Sequence, residues 1–243
     1  VRFVKMHMII CRWIFLFTLL LCNLAYSHHY VVKLGDETVT IHTIHQGKGK
    51  VFVHVHQNET TALTAALAVI AKEHGTVITL KHSGQRNIVF HLAGKRYEFD
   101  PNRMFTDVGI KKTLAQFGPY SPAAHREVNK LAYQLKQLIP PGKVIAVHNN
   151  RSYSLNDYLP GHKLAKDAQA LHYCDKGHYR NFYLVTKKQA FQRLINLKFN
   201  SVLQAKQATD DGSLSVYLAN HDYINVEAGY DQLAAQISML QQA

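Results

Sequence analysis

Short runs of β-branched and apolar residues alternate with stretches whose apolar positions repeat at helical spacing, and this alternation restricts the fold more than any other feature. Thr38–Thr43 alternates as a strand does, and Lys50–Val55 and Thr76–Lys81 are further strand-like runs. Between the last two, Ala62, Leu63, Ala66, Leu67 and Ile70 predict a helix over Thr60–Glu73, closed by Gly75. Asn87–Leu92 and Arg96–Asp100 flank Ala93-Gly94-Lys95 and read as a hairpin. Ile110–Phe117 and Pro122–Leu138 read as helices, and Pro140-Pro141-Gly142 is a break. Strands are expected at Lys143–Val147, Phe182–Val185 and Tyr223–Val226, with helices at Lys187–Leu197 and Tyr230–Leu240. The expected fold is α/β: a single domain with a mixed, mostly parallel twisted sheet flanked by helices. No Gly-rich phosphate fingerprint follows a strand, which argues against a Rossmann or P-loop nucleotide site.

The first segment reads differently. Val1–Ser27 holds Arg2, Lys5 and Arg12 but no acidic residue, then the apolar run Trp13–Cys22 and the small residues of Ala25-Tyr26-Ser27. This is the pattern of a secretory signal peptide cut after Ser27, leaving a domain over residues 28–243 in the periplasm or outside the cell. The apolar run is short for a membrane span, so no stable span is expected after cleavage. Of the three cysteines only Cys174 would then remain, which excludes an internal disulfide. Lys and Arg number 28 against 16 Asp and Glu, a formal net charge of +12. The positive residues are scattered, with no dense block interleaved with aromatics, so nucleic acid is not an expected partner. An anionic substrate or surface suits the charge better.

In open α/β sheets ligands bind at the carboxyl ends of strands, and here those ends carry chemistry. His56-Gln57-Asn58-Glu59 follows one strand, Asp100-Pro101-Asn102-Arg103 the hairpin, His148-Asn149-Asn150 another strand, and Glu227 the last. His56 and Glu59 are spaced so that a ring nitrogen and a carboxylate oxygen reach one metal ion, and a second His from a distant strand would complete a three-ligand site with one position open to water. A further carboxylate must take the water's proton, and Glu227 is placed for it. His54 is expected to be a hydrogen-bonded structural residue.

Together these motifs, in this order, resemble the zinc carboxypeptidase superfamily, including its aspartoacylase and succinylglutamate desuccinylase branch. His56-Gln57-Asn58-Glu59 is similar to the family's H-x-x-E zinc motif, with Gln57 in place of the glycine of the aspartoacylase branch. Asp100-Pro101-Asn102-Arg103 is similar to its D-x-N-R motif, and Asn225-Val226-Glu227-Ala228 resembles the late strand with the catalytic glutamate. The resemblance implies a zinc carboxypeptidase-like fold and one Zn2+ per chain on His56, Glu59 and His148. It implies Glu227 as general base and then acid, and Asn102 and Arg103 as holders of the substrate carboxylate. The family's oxyanion arginine has two contenders, Arg86 and Arg96, of which Arg86 is preferred because Arg96 sits on a hairpin strand. Tyr217 is a weak counterpart of the family's mobile tyrosine. His172 and His178 are read as part of a loop over the site. The chain is short for a digestive-type carboxypeptidase, so a deep side-chain pocket is not assured.

The implied activity is an exported zinc-dependent hydrolase that cuts an amide bond beside a free carboxylate, with cell-wall stem peptides as one substrate. The alternatives are an N-acyl amino acid deacylase and a non-catalytic metal-binding periplasmic domain.

Overall fold

The computed structural model describes residues 25–243. Strands that are apolar on both faces must be covered on both sides, and β7 (Val144–Asn150) and β11 (Tyr223–Gly229) are buried along their whole length. They lie side by side in the middle of a nine-stranded sheet. On one side of them follow β3 (Lys50–His54), β4 (Gly75–Lys81), β2 (Glu37–Gln46) and β1 (Tyr26–Leu34); on the other, β9 (Phe182–Val185), β10 (Ser201–Gln204) and β8 (Ala168–His172). The run β4-β3-β7-β11 is parallel. The strands β9 and β10 are parallel to each other and antiparallel to β11, and the outer strands β1, β2 and β8 pair antiparallel. The sheet is therefore mixed, with a parallel centre.

Parallel neighbours need long crossovers, and helices supply them. The first, α1 (Thr60–Glu73), joins β3 to β4 and covers one face together with α4 (Lys188–Asn196) and α6 (Leu233–Gln242). The opposite face has two covers. The hairpin β5 (Ile88–Leu92) and β6 (Lys95–Phe99) packs there with α2 (Asp107–Phe117) and α3 (Pro122–Leu138). Further along, Leu155 and Tyr158 pack on Phe182, Leu184 and Val202. A short helix α5 (Leu214–Tyr217) lies near the boundary of these covers, and the candidate site opens there.

Local sequence explains the element ends. Ser121 accepts from the Ala124 amide and Pro122 occupies the first turn of α3, whose buried face is Ala124, Val128, Leu131, Ala132 and Leu135. Ala93 and Gly94 both have positive φ, as a tight hairpin turn demands. The helix α1 spans the expected residues, but His74, at φ 63°, ends it, not Gly75. Gly75 opens β4, where a Cβ would lie 2.4 Å from the Lys50 carbonyl oxygen.

Three strands, β1, β8 and β10, were not expected from the pattern. The two strands that carry the site also run further than expected. Pairing of His148, Asn149 and Asn150 with Glu227, Ala228 and Gly229 continues the ladder through the polar residues. His148 and Glu227 thus stand within strands, not after them. The leader expected over Val1–Ser27 lies, for residues 1–24, outside the described residues, and a cut after Ser27 would fall within β1. Among the described residues no helix is long and apolar enough to cross a membrane.

Candidate metal centre and its cleft

His54 ends β3 and anchors the turn into α1. One ring nitrogen meets Thr79 Oγ1 at 2.9 Å and the other meets the Glu59 carbonyl at 3.1 Å, so that turn is tied back to the sheet. Burial holds this ring neutral, with its pKa lowered to about 4. The turn closes with the Glu59 amide donating to the His56 carbonyl, and Glu59 itself caps α1. From the neighbouring strand the Asn149 side chain accepts from the Ala62 amide at 2.7 Å, and its backbone amide donates to Glu59 Oε2 at 3.0 Å. Gln236 of α6 accepts from Asn149 and donates to the His148 carbonyl. The loop, helix and strand are thereby locked to one another around two histidines and one glutamate.

These three side chains converge. His56 Nδ1 and His148 Nδ1 are 3.2 Å apart, Glu59 Oε1 is 2.9 Å from the first and Glu59 Oε2 is 3.0 Å from the second. All three residues are buried, and one ligand atom from each lies within 4.8 Å of the others. The far nitrogen of His56 faces Asp100 Oδ1 at 2.6 Å. A carboxylate behind an imidazole keeps the proton on the nitrogen it faces, so Nε2–H stays on Asp100 and Nδ1 is the atom that would ligate once a metal displaces its proton. The donor set, two nitrogens and one carboxylate, is that of a site with an open fourth position. His56, Glu59 and His148 could therefore hold one metal ion. Burial opposes a charge on His56, but Glu59 and Asp100 outweigh it and pull its pKa up to about 9. A cation held between these rings would meet the same negative field. Glu59, despite its burial, is held far below the usual carboxylate range by His56 and His148.

Glu227 is the register partner of His148 across β7 and β11, which puts both side chains on one face. Its two oxygens accept from Asn150 Nδ2 and Asn225 Nδ2, each at 3.0 Å. Burial raises its pKa above the ordinary value. Arg86 hydrogen-bonds Glu59 and lies 3.6 Å from Asp100 Oδ2. Arg96 instead pairs with Glu98 on the outer face of the hairpin and is not part of the cleft. Asn102 and Arg103 lie in a 3-10 turn, Pro101–Arg103, capped by Asp100. Asn102 Oδ1 accepts from the Leu214 amide at 3.2 Å, and Arg103 pairs with Asp211 at 3.2 Å. All seven residues singled out from sequence, His56, Glu59, Arg86, Asn102, Arg103, His148 and Glu227, line one cleft of about 550 Å³.

Sequence reading missed other residues of the cleft. Asn150 and Asn225 lie two residues from His148 and Glu227 on the same strands, so period-two alternation could have found them. Arg151 stacks on Tyr230, with its guanidinium 4.8 Å from the ring centre, and both line the cleft. Tyr217 does not line it: the ring stacks on Phe105 and lies under Lys136, a packing role. His172 ends β8, and His178 pairs with Asp175 at the surface.

No protein-family model matches the chain, and no curated protein does. Among solved structures it is similar to the crystal structure of an aspartoacylase family protein from Mesorhizobium loti, with a TM-score of 0.44 and 12% identity. The match covers 90% of this chain and 65% of that one, so this chain spans about two thirds of that protein's length.

Proposed function

We propose that the protein is a zinc-dependent hydrolase that cuts an amide bond next to a free carboxylate. The observation that carries this reading is the convergence of His56, Glu59 and His148 beside Glu227, Arg86 and Arg103 in one cleft. Zinc held by the three ligands would polarise the scissile carbonyl and make water a better nucleophile. Glu227, fixed by Asn150 and Asn225, takes the water's proton and passes it to the leaving nitrogen. Arg103, with Asn102 beside it, binds the substrate carboxylate. Arg86 faces the carbonyl oxygen as negative charge develops there. Asp100 orients His56.

Two substrates share this geometry: an N-acyl amino acid, and the last residue of a short peptide. The leader-like Val1–Ser27 and the basic charge favour a peptide met outside the cytoplasm, such as a cell-wall stem peptide. The basic test is Glu227→Gln assayed on a panel of N-acyl amino acids and short peptides. Zinc should be retained while kcat falls by about 10²-fold or more. Equal turnover by the variant would remove Glu227 from the mechanism. No turnover by the zinc-loaded parent on either substrate class would favour a metal-binding domain without catalysis.

A further inference from the structure

The cleft lies toward the carboxyl ends of the central strands, and a second cavity, of about 620 Å³, lies at their amino ends. Lys143 stands immediately before β7 and Asp222 immediately before β11. Lys187 follows β9, which runs antiparallel to β11 and so returns to the same edge. Val144 is paired with Tyr223, and Ile224 with Val185, which sets Lys143, Asp222 and Lys187 in one row across the sheet. By the period of two they share the face of Ile145, Ile224 and Val185, the face that α4 covers. From α4 itself Lys188 and Arg193 complete the walls. Lys143 is five residues from His148 along β7. At about 3.3 Å per residue the two sites are about 17 Å apart, and they share no lining residue.

Four cationic side chains line this second cavity, and Asp222 is the one acid among them. A face of solvated lysines would keep every charged nitrogen in water. Here the Nη2 of Arg193 is buried and has no hydrogen-bond partner among the described residues. A guanidinium N–H out of water without an acceptor is unfavourable, and an anion removes the deficit. Lys187 donates to the Asn220 carbonyl at 2.7 Å, which leaves its other protons to give. Desolvation lowers the pKa of Lys143; Asp222 opposes this, and Arg193 and Lys50 add to it, so the cations of this edge repel one another. The start of α4 strengthens the same field. Its cap residue is Lys187, which makes no side-chain cap, and its first turn holds no acid. Cations at that end oppose the helix dipole, and an anion seated among them reverses the sign of the contact.

We propose that this cavity is a binding site for a phosphate group, carried by a soluble phosphate ester or by a lipid headgroup, with Arg193 as its central donor. A carboxylate brings one charge and two oxygens, too little for four cations against one acid. A phosphate monoester brings about 1.5 to 2 negative charges and three acceptor oxygens, which the guanidinium and the lysines around it can share. Phosphate binding here is independent of the hydrolase reading, because the cavity lies at the opposite edge of the sheet and its test needs no turnover.

The test titrates the purified protein calorimetrically with inorganic phosphate and with acetate. A second arm measures cosedimentation with phosphatidylcholine vesicles, with and without phosphatidic acid. Arg193→Gln should weaken phosphate binding by about tenfold or more, and acetate should bind the parent at least about tenfold more weakly than phosphate. Arg103→Gln, in the cleft, is the control for phosphate held there and should leave the affinity unchanged. If Arg193→Gln does not fold, Lys143→Gln with Lys188→Gln, both exposed, gives the same readout. Binding of free phosphate that depends on Arg193 supports the proposal and makes a soluble ester the source. Vesicle binding that needs both phosphatidic acid and Arg193, without binding of free phosphate, supports it and makes a lipid headgroup the source. Three results would overturn it: no binding in either arm, acetate bound as tightly as phosphate, or binding lost in Arg103→Gln and kept in Arg193→Gln.

Discussion

The tightest constraints in this molecule are set by pairs of side chains. Asp100 touches no ligand atom, yet it holds the Nε2 side of His56 and caps the turn that carries Asn102 and Arg103. Asp100→Asn should leave the fold intact and weaken zinc binding by about 10- to 100-fold, measured by competition with a chelator. Unchanged affinity would show that the tautomer of His56 is fixed by something else. His54 makes a prediction about pH. Its folded pKa, lowered to about 4 by burial, lies below the ordinary 6.5 of the unfolded chain. Above pH 6.5 both states are neutral at this ring and it has no effect. Between about pH 6.5 and 4 the unfolded chain takes up a proton that the folded one refuses, so stability falls as pH falls. This share amounts to roughly 3 kcal/mol. Denaturant titrations should show a flatter acid limb for His54→Gln than for the parent, and parallel limbs would contradict the assignment. At this scale the sequence was readable where chemistry is local. His56 and Glu59 are three apart on one turn, and Asp100 to Arg103 are contiguous, so their association needs no tertiary information. Arg151 and Tyr230 enter the cleft through loop path, which residue types do not encode.

Elements position those residues, and one junction bears most of the burden. Asn149 points to the face opposite His148, where it holds the amide of Ala62 in the first turn of α1 and the side chain of Gln236 in α6. Replacing it by Ala leaves the buried Ala62 amide and the Gln236 Oε1 without partners, which destabilises by about 1–3 kcal/mol. Because the same junction sets Glu59, zinc affinity should fall as well. Leu131→Ala, in the core under α3 and away from the cleft, serves as the contrast. It should lose about 2–5 kcal/mol in urea unfolding with zinc affinity unchanged. If both variants lost zinc equally, the junction would have no special part in building the site. The legible elements were those with a strong period. The helix α3 and the strand β9 have the expected ends because apolar spacing and turn residues mark them. The strand β1 carries Ser27, His28 and His29 and is mostly exposed, so its sequence lacks the apolar alternation of a strand. The strands β8 and β10 are short and mix polar with apolar residues, and their pairing is decided by neighbours far away in sequence.

The whole molecule explains why the site is where it is. A parallel centre needs cover on both faces, and on one face that cover comes in two pieces, the hairpin with α2 and α3, and the segment around Leu155 and Tyr158. The cleft opens between them, over the ends of β7 and β11, where buried polar residues are reached from solvent. Motif order in the sequence anticipated this assembly, since His56-Glu59 and Asp100-Arg103 follow strands and His148 and Glu227 lie in the carboxyl halves of the two central strands. The proposed chemistry depends above all on His56, Glu59 and His148 forming a metal site. That is tested by the zinc content of the purified protein, by elemental analysis, beside His148→Ala. The parent should hold about one zinc per chain and the variant little. A parent that holds no zinc after reconstitution, or a variant that holds as much as the parent, would mean that these three residues are not a zinc site.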